Sequence, residues 1–351
     1  MSNDEERELA ILDAEQAMEF GNVERTSSNY DQALVFYQQA TQLYRTYNAR
    51  SGEGIALSQS AGVLTVQGKL EEALEYYGLA LTIHREMGNK RHEGETLGNI
   101  GITLRHTGAL EQALIHYELA LKIHRELGNA RFEGITLISL GETYRQLGRY
   151  SEATNYYRQA LETTQRYGNR RAQGVILNNL GLILRAQGDH KNAIESFKDG
   201  LTITQEIGDV ENQGTTLGNI GDCFFELGLL DQAQHYLELS ISICTEIEYQ
   251  IAVGVFGGSL AHLLAKQGDT AKALSMIADS EPMVTAFPHE LGKFICRKGF
   301  VQHCCGQAEH AQASLAAAIQ IATTLKVQPT SELTVYIDKL RDTLNKEDSA
   351  T

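Results

Sequence analysis

A period of forty residues runs through this chain without a slip. Gly68, Gly108, Gly148, Gly188, Gly228 and Gly268 occupy one register, and Gly54, Gly94, Gly134, Gly174, Gly214 and Gly254 a second. Ala33, Ala73, Ala113, Ala153, Ala193, Ala233 and Ala273 form a third. Tyr37, Tyr77, Tyr117, Tyr157 and Phe197 form a fourth, continued by Leu237 and Ile277. Near-identical phrases, IHREMGN at 83–89 and IHRELGN at 123–129, close successive units. A fixed period of this length means an array in which each unit buries its apolar face against the next.

The unit itself reads as two helices. In residues 91–130, Leu97, Ile100, Gly101 and Leu104 lie three and four apart, the spacing of one helical stripe. Gly108 then offers the left-handed conformation that ends a helix. A second stripe follows in Leu110, Ala113, Leu114, Tyr117, Ala120, Leu121, His124 and Leu127, and Gly128 stops it. Connections this short place the two helices antiparallel. No segment alternates with period two, and the 3 prolines all fall in the last quarter, so the class is all-α. Gly101, Gly141, Gly181 and Gly221 sit inside first helices, where glycine costs about 1 kcal/mol against alanine. Close approach of the second helix, at its small Ala113-type position, is the expected compensation, with Tyr117 filling the space beyond.

This order of Leu97, Ile100, Gly101, Leu104, Ala113, Tyr117 and Ala120 resembles the tetratricopeptide-repeat family. The forty-residue unit, longer than the common one and without its proline, is similar to those of kinesin light chain and Pins/LGN-like arrays. The resemblance implies a right-handed superhelical solenoid of antiparallel helix hairpins. Repeats are expected at 11–50, 51–90, 91–130, 131–170, 171–210, 211–250, 251–290 and 291–328, the outer two degenerate. Pro282 and Pro288 are expected to break the second helix of repeat seven. A capping helix follows at 330–346, with Ser331 as N-cap and an apolar face of Leu333, Ile337, Leu340 and Leu344. The first few residues and KEDSAT at the end are expected to fray.

Charge and motif content narrow the function. With 30 Lys and Arg against 45 Asp and Glu, the net charge of −15 argues against nucleic acid, whose phosphates need clustered cations. No apolar run approaches a membrane span, and the acidic MSNDEERELA is not a signal peptide. An odd count of 5 cysteines points to reduced thiols in a cytoplasmic protein. No P-loop, dinucleotide glycine pattern, nucleophile elbow or zinc-protease motif is present, so no enzyme activity, cofactor or metal is expected. Cys296, His303 and His310, with Cys304 and Cys305 nearby, have a metal-like spacing. Gly306 nevertheless takes His310 off the helix of the others, and buried thiols with a loop histidine account for them. His84 and His124 recur on the Tyr117 face as packing histidines, and the glycines as turns rather than phosphate cradles.

The inner wall of such a solenoid is built from first helices. Asn99, Ser139, Asn179 and Asn219 share one register there, Arg105, Arg145 and Arg185 another, with Glu142, Asn178 and Asp222 beside them. An amide donates and accepts, which suits an extended peptide backbone, and a guanidinium fork suits a carboxylate. Exposed second-helix positions vary between repeats (Glu111–Gln112, Ser151–Glu152, Lys191–Asn192), so duplication alone does not explain the constancy of the wall. The resemblance implies that matching Asn and Arg hold a peptide. The expectation is a monomeric, non-enzymatic scaffold for a linear segment of another protein, acidic to suit the arginines or, since Glu142, Asp222 and Glu226 make the groove mixed, partly basic. The alternative is a sensor array whose curvature changes on binding a signalling peptide or small molecule; end-to-end self-assembly ranks below both.

Overall fold

A computed structural model describes residues 3–325, 327, 329 and 331–348. The fraying expected for Met1, Ser2 and 349–351, and the junction residues Gln328 and Thr330, lie outside the described residues. Two compact units divide the chain, Met1–Thr143 and Tyr144–Thr351. Every element in the described residues is helical.

The first unit holds α1 (Asn3–Thr26), α2 (Tyr30–Thr46), α3 (Arg50–Val66), α4 (Leu70–Glu86), α5 (Lys90–His106), α6 (Leu110–Glu126) and all but the last turn of α7 (Ala130–Gln146). α1 packs on α2, α3 on α4 and α5 on α6, and α2 and α4 lean on the first helix of the next pair. The second unit continues with α8 (Tyr150–Arg166), α9 (Arg170–Ala186), α10 (His190–Glu206), α11 (Val210–Glu226), α12 (Leu230–Glu246), α13 (Gln250–Gln267), α14 (Thr270–Val284), α15 (Pro288–Cys304), α16 (Ala308–Thr324) and α17 (Glu332–Asp348). There α17 lies against α15 and α16, where Leu333, Ile337, Leu340 and Leu344 pack on Cys296 and Leu315.

Local chemistry explains the monotony. At the end of α4, Gly88 takes φ +64° and the Asn89 N–H reaches back to the His84 carbonyl at 2.8 Å. That closes a Schellman turn, which satisfies carbonyls the helix leaves open. Asn89 then turns its side chain to accept from the His92 N–H and so caps α5. The repeated Gly-Asn or Gly-Asp pair thus stops one helix and starts the next, as Asn169, Asp189 and Asp209 also do. Ser331 caps α17 by accepting from the Thr334 N–H at 3.2 Å.

Tyr37, Tyr117, Tyr157 and Phe197 are fully buried, each ring contributing roughly 2–3 kcal/mol through apolar area removed from water. Their role differs from expectation in one respect. A Cβ built on Gly101 would meet Tyr117 Cε1 at 2.6 Å, and one on Gly181 would meet Phe197 at 2.6 Å. The ring itself lies over the glycine rather than beyond the helix contact. His124 has the same relation to Gly94, at 2.8 Å, and stacks on Phe132, which gives the repeated histidines a packing role.

Two further expectations are corrected. Leu127 is exposed, because it is the last residue before the left-handed Gly128 and has already left the packed face. Pro282 does not break its helix: it lies within α14, which ends only at Val284. Pro288 occupies the first turn of α15, where a missing N–H breaks no helix bond.

Candidate functional site

In the first unit the wall of first helices carries an open pocket of about 430 Å³. Gln59 of α3 and Asn99 of α5 both line it, forty residues apart and therefore at one register. Ser58 and Thr96 stand beside them, their hydroxyls 3.3 Å apart, with Ser58 Oγ 3.5 Å from His84 Nε2. Burial, then the neighbouring His92, push the His84 imidazole below its ordinary range, so at neutral pH it sits there uncharged. Arg25 is exposed at the pocket rim, and Glu95, also lining it, accepts from Arg91 Nε at 3.0 Å. The pocket therefore offers neutral amides and hydroxyls on its floor with one charge of each sign at its edge.

Farther along the same unit, Arg105 is paired with Glu142 at 3.5 Å, both side chains mostly covered. Ser139 is buried and donates to the Ile135 carbonyl within its own helix. Asn99 thus lines the pocket, whereas Arg105, Ser139 and Glu142 are engaged with their own neighbours.

The second unit departs further from an open wall. Arg185 Nη1 donates to Asn219 Oδ1 at 3.0 Å and Asp222 Oδ2 at 3.3 Å, while Nη2 donates to Glu332 Oε1 at 2.8 Å. Glu332 opens α17, so the C-terminal helix itself supplies the carboxylate. Lys293 Nζ is 3.3 Å from the other oxygen of Glu332 and 2.7 Å from Glu290. The buried Arg297 donates to Asp222 at 2.9 Å and to the Tyr336 hydroxyl at 3.1 Å. Burial pushes the Glu332 carboxyl up, but Lys293, Arg185 and Arg145 outweigh it and hold it well below the usual carboxylate range. Asn178 accepts from Thr216 at 3.3 Å, and Asn179 and Asp222 are buried.

The open, solvated arc expected for these positions is therefore corrected in the second unit. Arg185, Asn219 and Asp222 form one internal network, because Glu332 and Arg297 bring the counter-charges. Arg145 is different. Leu182 stands where Glu142 and Asp222 follow the other two arginines, so Arg145 lacks that carboxylate; its Nε, like that of Arg105, is buried with no hydrogen-bond partner.

Sequence reasoning missed five participants. Gln59 and Arg25 fall on the registers of Asn99 and Arg105, so the period alone could have found them. Lys293 and Arg297 belong to the degenerate last repeat and Glu332 to the capping helix, and Glu332 meets Arg185 across 147 positions, a contact no local pattern encodes.

Among the described residues no group of three or more His, Cys, Asp and Glu could hold a metal ion. Cys223 and Cys296 are buried, which pushes both thiols up to about 12. No helix among the described residues is long and apolar enough to cross a membrane.

Paired helices of constant length, glycine-stopped and stacked in series, define a helical-repeat protein. The tetratricopeptide-repeat family profile matches residues 52–126, 93–166 and 170–246, more than half of the chain, and the chain belongs to that family. No curated protein matches it in sequence. Among solved structures it is similar to the apo form of the quorum sensor NprR from B. thuringiensis, at TM-score 0.69 and 16% identity over 88% of this chain and 87% of that one. It is also similar to BtubC (BKLC) from P. vanneervenii, at TM-score 0.54 and 21% identity over 64% of this chain and 92% of that one. A Rap protein complexed with competence and sporulation factor aligns at TM-score 0.56 and 16% identity over 97% and 99% of the two chains. At these identities the likeness is one of fold.

Proposed function

We propose that this chain is a non-enzymatic interaction scaffold whose first unit holds an extended peptide segment of a partner protein on its wall of first helices. The observation that carries the reading is the pocket of about 430 Å³ in which Gln59 and Asn99 present amides at one repeat register. Successive repeats then meet successive stretches of a peptide backbone with the same donor and acceptor pair. Arg25 at the rim takes a carboxylate of the segment, and Arg105, Ser139 and Glu142 continue the wall within that unit. The solved Rap complex with competence and sporulation factor supports this reading by analogy of fold. The repeat boundaries given above and the cap at 330–346 belong to the same proposal, as does a reducing, cytosolic setting for the 5 cysteines.

A selection of displayed random linear peptides on the intact chain tests it. Selected peptides are expected to bind wild type, to lose about tenfold or more with Arg25→Ala, a hydrogen bond to a charged group being worth about 1.5–3 kcal/mol, and to lose about two- to tenfold with Asn99→Ala or Gln59→Ala, whose bonds to neutral backbone are worth about 0.5–1.5 kcal/mol. Gln112→Ala on exposed α6 is the neutral control. Peptides that bind all three wall variants as tightly as wild type would overturn the reading.

A second reading, a sensor array, is favoured by Glu332. Its carboxylate already holds the Nη2 of Arg185, in the register proposed to bind acidic ligands, so a ligand carboxylate there competes with the chain's own α17. Under that reading Glu332→Gln raises the affinity for an acidic peptide in the second unit, together with Arg145, Asn178, Asn179, Asn219 and Asp222. Unchanged affinity removes it.

A further inference from the structure

The first helix breaks the rule that every other repeat obeys. Phe20 and Val23 of α1 are 49% and 58% exposed. One and two repeats later, Ser60 and Ile100 stand at the Phe20 position and Val63 and Thr103 at the Val23 position, all of them buried. Val63 shows what covers this face, since it packs on Ala33 and Tyr37 of the preceding second helix. The face of α1 is thus shaped for a helix laid across it.

Three more features point to an occupant. First, α1 has 24 residues where α2 to α12 have 17, and its added turns carry Leu9. Leu9, Leu12, Phe20 and Val23 lie three, eight and three apart and share one exposed face, as two apolar pairs with Gln16 between them. Second, Phe36 of α2 supports Phe20, ring centroids 5.5 Å apart, which fixes the face rather than leaving it to collapse. Third, the face is edged by acids: Glu8 and Glu19 on one side, Asp13 on the other, all exposed. Over its length α1 carries eight carboxylates against two arginines.

We infer that this face docks an amphipathic, basic helix of a partner protein. Apolar complementarity supplies the contact, and Lys or Arg flanks on the partner answer the acidic edges. A second copy of this chain fits poorly, because α1 against α1 would bring two acidic rims together. The pocket of the proposed peptide site plays no part in this face, so each stands or falls alone.

The probe is a synthetic helical peptide of about 18 residues, three to four turns of docking length, with Leu at one face and Lys on both flanks. Its titration into the intact chain is expected to saturate at one site and to weaken as salt rises. Phe20→Ser with Val23→Ser leaves the charge unchanged and is expected to reduce affinity by about tenfold or more; Leu12→Ser, 60% exposed, is the second variant should that pair disturb folding. A peptide with Glu in place of Lys is expected not to bind, and Asn99→Ala to leave the Lys peptide unaffected. Equal binding to wild type and to both apolar variants means charge attraction alone and overturns the inference. So does sedimentation showing a wild-type dimer that Phe20→Ser with Val23→Ser dissolves, which would make the occupant a second copy.

Discussion

Glu332 lies 2.8 Å from Arg185, its carboxylate on one amino group of a guanidinium whose side chain is only 14% exposed. In sequence, the arginine register reads as a row of cations waiting for an acidic ligand. In the second unit the acid is intramolecular, delivered by the helix that caps the array. The same pair also anchors α17, since Lys293 and Arg185 grip opposite oxygens of one carboxylate. Arginine at this register therefore meets an acid of the chain itself in both units, Glu142 of the wall for Arg105 and Glu332 of the capping helix for Arg185.

That difference is measurable. Arg185→Ala leaves Glu332 to Lys293 and Asp222 to Arg297, each with one cation fewer, and is expected to cost about 1–3 kcal/mol, the range for breaking a buried pair reduced for the partners that remain and for partial exposure. Arg105→Ala removes one 3.5 Å ion pair to a carboxylate that water still reaches, and is expected to cost about 1 kcal/mol or less. Urea midpoints followed by circular dichroism check the ranking; equal midpoints would show that the Arg185 network adds no stability.

The pH dependence follows from the same carboxylate. Glu332 is held below its ordinary value of 4.5 in the folded chain, so unfolding would let it bind a proton more readily. Its contribution is present in full above about pH 4.5 and is lost as pH falls through the depressed folded value. Because 31% of the side chain remains open to solvent, the effect is screened and smaller than for a sealed pair. Glu332→Gln is expected to lower stability at pH 7 and to approach wild type in acid. A constant gap between the two proteins from pH 7 to pH 3 would contradict this.

How far the sequence reaches depends on the range of the interaction. Helix ends are legible because Gly128 and Asn129 act on neighbours within one turn. The burial of Leu97, Ile100, Leu104 and Tyr117 is legible because a period of three and four translates directly into a face. Leu127 keeps that spacing yet falls outside, since one left-handed residue ends the geometry on which spacing depends. Pro282 reads as a breaker, yet α14 runs on through it to Val284. The period places Asn99 on the wall, where it is found, but it also turns Arg185, Asn219 and Asp222 toward solvent, where they are not. Their partners, Glu332 and Arg297, come from the part of the chain where the period decays.

Two glycines three residues apart in α5 separate packing from propensity. A Cβ at Gly101 would sit 2.6 Å from the Tyr117 ring, whereas a Cβ at Gly98 meets nothing within 4 Å. Both changes gain the helix preference of alanine, about 1 kcal/mol. For Gly98→Ala that gain should appear almost whole as added stability. For Gly101→Ala the buried ring must move, and overpacking of this kind typically costs about 1–3 kcal/mol, so the net sign reverses or vanishes. Thermal melts of the two variants decide it, and a Gly101→Ala protein as stabilised as Gly98→Ala would mean that the ring yields freely.

The turn after α12 offers a stabilising change that breaks no hydrogen bond. Glu248 takes φ +57°, the left-handed conformation that Gly208, Gly168 and Gly128 adopt at the same register. A side chain there crowds the following carbonyl, at a cost of about 1–2 kcal/mol that glycine avoids. Glycine also widens the unfolded ensemble, which takes back up to about 1 kcal/mol. The turn hydrogen bonds are backbone only, Glu248 N–H to the Thr245 carbonyl and Tyr249 N–H to the Cys244 carbonyl, so the substitution leaves them intact. Glu248→Gly is therefore expected to stabilise by up to about 1 kcal/mol, while Gly208→Ala, which forces the same strain on a turn now free of it, destabilises by about 1–2 kcal/mol. Chemical denaturation of both variants reads the pair directly, and a Glu248→Gly protein clearly less stable than wild type would show that the Glu248 side chain contributes something the backbone geometry does not reveal.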